Sequence, residues 1–187
     1  MELERFLEIL GYQKVGNKYS KDYNGYKITV DESFKVDYGS KIQKDRSTTT
    51  NLTHQDETKV VFQCVDRLLT LGYNPKAIYL EKSFSSGRSE HGQFLDILVN
   101  DKKGKAFMMI ECKTPDTFND EIDNMQDNGG QLFTYFKNER AAKYLCLYTS
   151  SFDDDVHESE SYYVDDIKTK FEFSDLFPTK EELIDSL

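Results

Sequence analysis

Cysteine is scarce, and the three present, Cys64, Cys112 and Cys146, show neither paired nor zinc-like spacing. Each lies in an apolar periodic segment, which reads as core in a reducing compartment and excludes a disulfide framework. Missing too is any apolar run of membrane-spanning length. The opening Met-Glu-Leu-Glu-Arg has no secretory pattern, so a cytoplasmic location with no membrane partner is expected. Positive charge is also short: 24 Lys and Arg stand against 34 Asp and Glu, a net charge of -10. That balance argues against simple, charge-driven binding to a polyanion. The shortage is uneven, because residues 1–113 carry 18 basic and 16 acidic side chains while residues 114–187 carry 6 and 18.

What is present suggests one main domain with an extension, in a chain of 187 residues that is long enough to bury a core. Residues 2–10 place Leu3, Phe6, Leu7 and Leu10 on one side of a short helix that Gly11 ends. Residues 19–23 and 26–30 flank Asn24-Gly25, a strong hairpin signal, and residues 34–38 could add a third strand. Residues 41–51 are rich in Ser, Thr and charge and read as a linker. Residues 1–50 are therefore expected to form a small α+β extension, and residues 51–187 the main domain.

In that domain Thr53, followed by Asp56, resembles a capping arrangement that opens a helix to about Leu71, stopped by Gly72. Val61, Cys64, Val65 and Leu68 give the helix an inward face, with Glu57 on its edge. A strand over residues 78–84 leads to a polar loop, residues 85–92, that holds Arg88 and His91. Such a loop could touch a phosphate, but it more often only connects. After an acidic stretch, a helix is expected over residues 128–139, with Gln131 and Tyr135 four apart beside the core stripe of Leu132 and Phe136. A strand over residues 142–150 follows, and because it returns through a helix it should enter the sheet parallel to a neighbour. Asp153, Asp154 and Asp155 point in different directions and read as an acidic surface loop. One more strand is expected within residues 161–176. Residues 179–187 begin an amphipathic helix without completing it, as expected of a piece of a longer polypeptide.

The oddity that organises the chain is Phe94-Leu-Asp-Ile-Leu-Val, a polar turn, and then Ala106-Phe-Met-Met-Ile-Glu-Cys-Lys. These read as two apolar strands of a hairpin. A carboxylate inside such a run loses hydration unless something pairs with it. With a four-residue loop over 101–104 and Asn100 facing Lys105, Asp96 falls opposite Met109 and diagonal to Glu111. Asp96, Glu111 and Lys113 then share one face, with diagonal neighbours roughly 7 Å apart. Leu95, Ile97, Val99, Met108, Ile110 and Cys112 point the other way. A slip of one residue would send Asp96 to the opposite face.

Asp96 followed by Glu111-Cys112-Lys113 resembles the active-site pattern of the PD-(D/E)xK nuclease superfamily. Gln131-Leu-Phe-Thr-Tyr135 looks like the Gln-x-x-x-Tyr element of RecB-like nucleases and of the N-terminal nuclease domains of type I restriction enzyme R subunits. The resemblance covers roughly residues 51–150, with Leu95 standing where the superfamily name has proline. It implies an α/β fold with a restriction-endonuclease-like core: a central mixed sheet flanked by helices, in the order helix, three strands, helix, strand. It further implies a metal-dependent endonuclease acting on DNA. Asp96 and Glu111 would hold Mg²⁺, with Mn²⁺ a possible substitute, and the Cys112 backbone carbonyl is available as another ligand. Lys113 would position the nucleophilic water and offset charge at the phosphate, while Gln131 and Tyr135 would orient substrate or brace the site. Two readings of Glu57 stand side by side: a first-turn acid favoured by the helix dipole, or an additional metal carboxylate. Implied partners are the motor, methyltransferase and specificity components of a restriction-modification complex, which would supply the main grip on DNA. Two alternatives remain: a catalytically silent nuclease-fold module that docks a larger assembly, or a hydrolase acting on RNA or a repair intermediate.

Overall fold

The computed structural model describes residues 3–84, 93–128, 130–153, 156–165 and 170–173. Among these, the chain is α/β, with two sheets and four α-helices. Helix α1 (Leu3–Ile9) precedes an antiparallel sheet of β1 (Gln13–Val15), β2 (Lys18–Tyr23), β3 (Tyr26–Asp31) and β4 (Val36–Asp37). The expected hairpin is there, with Asn24 at φ +53° and Gly25 at φ +89°, the left-handed pair that a tight two-residue turn requires.

The larger sheet contains β5 (Gln43–Lys44), β6 (Ile78–Phe84), β7 (Gln93–Asn100), β8 (Ala106–Cys112), β9 (Tyr144–Asp153), β10 (Val156–Asp165) and β11 (Lys170–Phe173). They lie side by side in the order β11-β10-β9-β8-β7-β6-β5. The sheet is mixed. Strand β7 runs antiparallel to both of its neighbours, β6 and β8, while β9 lies parallel to β8, as its helical return requires. The stretch expected to be a linker is instead structural: β5 adds to the edge of β6 in parallel, and a 3-10 turn follows at Thr48–Thr50.

Helix α2 (Asp56–Thr70) covers one face of the sheet, and α3 (Pro115–Asn128) with α4 (Gly130–Asn138) covers the other. All seven residues of β8 are buried, which explains why its first five, Ala106 to Ile110, read as an unbroken apolar run rather than an alternating one. On the α2 side, Val61, Cys64, Val65 and Leu68 pack with Ile97, Val99, Met108, Ile110 and Cys112. Phe6, Tyr12 and Tyr38 close on Phe62 in that same core, so the N-terminal elements and α2 bury one another's apolar surface. The proposed Thr53 cap does not form. Gln55 occupies the position before α2 without a side-chain cap, and Thr53 bonds to the Asn51 side chain. The acidic stretch that begins at Pro115 is itself a helix of 14 residues, α3.

Leu95 departs from the expected face. It packs with Leu98 and Met109 on the α3/α4 side, whereas Ile97 and Val99 pack toward α2. The alternation breaks where Glu81 and Asp96, which would be partners in the β6–β7 ladder, drop out of it. Glu81 has φ +49°, and a strand residue in that region tilts its peptide away from regular pairing.

Arg88, His91, Asp154, Asp155 and residues 179–187 lie outside the described residues. The strand expected within residues 161–176 falls partly on β10 and β11. No described helix is long and apolar enough to cross a membrane.

Candidate active site

The ends of β7 and β8 farthest from their connecting turn bring the singled-out residues together. The ladder pairs Leu98 with Met109 and Ile97 with Ile110, two residues out of the expected register. An irregularity between Val99 and Asn100 absorbs part of that difference. The rest comes from the turn, where the Asp101 side chain accepts from the N–H groups of Lys103 and Lys105 and closes a tighter loop. A shift of two, unlike a shift of one, does not exchange the faces. Continued by one step, the ladder puts Asp96 across from Glu111. Regular pairing stops there, and the Cys112 N–H donates instead to Asp96 Oδ2 at 2.8 Å.

Lys113 lies against two acids. Its Nζ is 2.8 Å from Glu111 Oε1 and 3.9 Å from Glu57 Oε2, which arrives from the first turn of α2. Glu57 therefore faces the site and not open water. Glu111 is buried, and its second oxygen, Oε2, has no hydrogen-bond partner among the described residues. Burial pushes the Glu111 carboxyl up to about 7, against the Lys113 charge that draws it down. Asp96 is held well above the usual carboxylate range by loss of hydration first and by the Glu111 charge second, with the Cys112 amide opposing both. Lys113 stays protonated: its own burial opposes the charge, but Glu111 and Glu57 outweigh it.

Two nearby carboxylates that each resist ionisation make a site whose electrostatics improve when a cation arrives. Their hard oxygens, one of them unbonded, suit a divalent ion such as Mg²⁺. Asp96 and Glu111 fit that role as a pair. Among the described residues no group of three or more His, Cys, Asp or Glu side chains is arranged to hold a metal ion, and Glu57 lies against Lys113.

Compared with models of protein families and with curated proteins, the chain matches none.

Tyr135 and Gln131 separate. The Tyr135 hydroxyl donates to the Phe94 carbonyl at 2.8 Å, two residues before Asp96, and its ring tilts against Phe84. It braces β7 from α4. Gln131, on the same helix, has an exposed side chain, and its backbone N–H donates to Glu121 Oε1 at 3.2 Å.

Sequence reasoning missed a cavity of about 230 Å³ that opens over Asp96 and is walled in part by Arg46, His54, Glu57, Glu81 and Phe94. Buried Glu81 accepts from the Thr48 hydroxyl, from the Thr49 hydroxyl at 3.1 Å and from the Thr49 N–H at 3.4 Å. The signal that exposed Asp96, an acid inside an apolar strand, was equally present at Glu81 in Ile78-Tyr-Leu-Glu-Lys.

Proposed function

We propose that the chain is a divalent-metal-dependent endonuclease domain that hydrolyses DNA phosphodiester bonds, built on a restriction-endonuclease-like core and acting within a type I-like restriction system. The observation that carries this reading is the meeting of Asp96, Glu111 and Lys113 at the paired ends of β7 and β8, with two carboxylates of raised proton affinity beside a fixed ammonium. The element order supports it: α2, then β6, β7 and β8, then helices, then β9 parallel to β8.

Asp96 and Glu111 would hold the ion, with the Cys112 carbonyl and Glu57 close by. A Mg²⁺ ion held by these residues would act as a Lewis acid, making an attacking water more acidic and offsetting charge on the phosphoryl oxygens. The Lys113 ammonium offsets negative charge beside the scissile phosphate and orients the attacking water. Tyr135 keeps the backbone ahead of Asp96 in place. The test is nicking of supercoiled plasmid in Mg²⁺ or Mn²⁺, with Asp96→Ala and Lys113→Ala as variants. Cation-dependent nicking lost in both, with unfolding transitions retained, is the expected result. A wild-type chain that neither nicks DNA nor binds Mn²⁺ by calorimetry would sink the proposal.

One observation favours a second reading, a catalytically silent module that docks a larger assembly: Lys113 is already engaged by Glu111 and Glu57. Calorimetry separates the two, because a silent module retains its ion pairs and takes up no cation.

A further inference from the structure

Arg46 stands at the rim of the cavity over Asp96, and the fold fixes it from three directions. Its guanidinium carbon lies 3.5 Å from the centre of the Phe94 ring, on the strand that carries Asp96. Just before it, the Asp45 carboxylate accepts from the Ser83 N–H at 2.8 Å, the Ser83 hydroxyl at 2.6 Å and the Tyr79 hydroxyl. Lys82 Nζ lies 3.7 Å from the same carboxylate. Just after it, Thr48 and Thr49 are bolted to buried Glu81, which holds a left-handed backbone conformation, φ +49°, that costs roughly 1–3 kcal/mol outside glycine. The chain on both sides of an exposed arginine is thus tied to β6, and its side chain is laid on β7.

Such a stack engages the flat face of the guanidinium and leaves its in-plane N–H donors pointing outward, the fork that matches a phosphate. Among the described residues no carboxylate forms an ion pair with Arg46. A phosphate needs such a cation here, because Glu57, Glu81 and Asp96 line the same cavity and the chain carries a net charge of -10. At about 230 Å³ the cavity is smaller than the roughly 300–1,000 Å³ of drug-sized ligand sites, so it admits one small group rather than a duplex.

We infer that Arg46 is a substrate-binding residue that docks one phosphodiester group of a nucleic-acid strand at the mouth of this cavity and aligns the strand over Asp96. The inference rests on the nuclease reading and adds to it a named anchor for the strand. Glu81 and Asp45 act through Arg46 as positioning residues.

Fluorescence anisotropy with a labelled single-stranded DNA oligonucleotide in EDTA, over a range of salt concentrations, tests it without cleavage. Arg46→Gln should raise Kd about tenfold and lower the log Kd against log salt slope by about 0.7, one phosphate contact on a single strand. Phe94→Leu, which keeps the charge but not its platform, should raise Kd about threefold. Lys27→Gln removes an equal charge from the exposed surface of β3 and should move Kd less than twofold. Because Arg46 is exposed, its variant should unfold at the wild-type temperature. Equal Kd values for Arg46→Gln and Lys27→Gln, or a wild-type chain that binds no oligonucleotide, overturn the inference. Plasmid nicking by the wild-type chain reports on the nuclease reading separately: binding that depends on Arg46 without nicking removes catalysis and leaves the docking site standing.

Discussion

The backbone N–H of Cys112 donates to Asp96 Oδ2 at 2.8 Å, so the last residue of β8 aims the acid of β7. Asp96→Asn keeps an oxygen acceptor there and removes the repulsion with Glu111. Asp96→Ala leaves a buried N–H unpaired, at about 1–2 kcal/mol. Both variants should lose metal-dependent nicking, and urea unfolding in EDTA should find the Ala variant less stable than the Asn variant by about that amount. Equal stabilities would show that this hydrogen bond does not hold the strand ends together.

Glu111 makes metal-free stability fall as pH rises. Its carboxyl is lifted from 4.5 to about 7 in the folded chain. Below about pH 4.5 it is protonated in both folded and unfolded states, and its contribution is complete. Between there and about pH 7 the unfolded chain releases the proton first, so stability is lost across that window, on the order of 3 kcal/mol. Asp96, raised in the same direction, adds to the slope. Glu111→Gln should flatten the profile of unfolding free energy measured from pH 5 to pH 8 in EDTA. Adding Mn²⁺ at pH 8 should restabilise the wild-type chain but not the variant.

Tyr135 and Gln131 should respond differently to substitution. Tyr135→Phe removes the hydrogen bond to the Phe94 carbonyl, costs about 1 kcal/mol, and should lower kcat by loosening β7 ahead of Asp96. Gln131→Ala changes an exposed side chain and should shift stability by less than about 0.5 kcal/mol. Thermal unfolding together with nicking rates reads both, and a Gln131 variant that loses nicking at wild-type stability would point to contact with substrate.

Lys21 pins the N-terminal sheet to α2. Its Nζ lies 2.7 Å from Asp66 Oδ1 and 2.6 Å from the Leu10 carbonyl, and Asp66 is mostly buried. Lys21→Met strands the Asp66 carboxylate without its cation and should destabilise the chain by roughly 3 kcal/mol. Adding Asp66→Asn should recover part of that loss. Chemical denaturation of the single and double variants measures the coupling.

How much was legible follows from the range of each interaction. The Asn24-Gly25 turn, the inward face of α2 and the buried run of β8 are properties of neighbouring residues, so the chain's own pattern determined them. The same holds for the oddity of Asp96 among apolar neighbours and for the Glu-x-Lys spacing, which sets Glu111 and Lys113 within 2.8 Å of each other. Tertiary structure alone decided the register of β7 on β8, because a turn closed by the Asp101 side chain and an irregularity at Val99 carry no strong local signature. It alone turned residues 41–51 from an apparent linker into a sheet edge, since β5 gains its hydrogen bonds from β6, more than thirty residues away in the chain. It alone set Arg46 on Phe94 and Glu81 beneath Thr48 and Thr49, contacts between segments that no periodicity links. Local chemistry supplied the acids and the lysine, and long-range packing decided which cavity they share and which cation stands at its mouth.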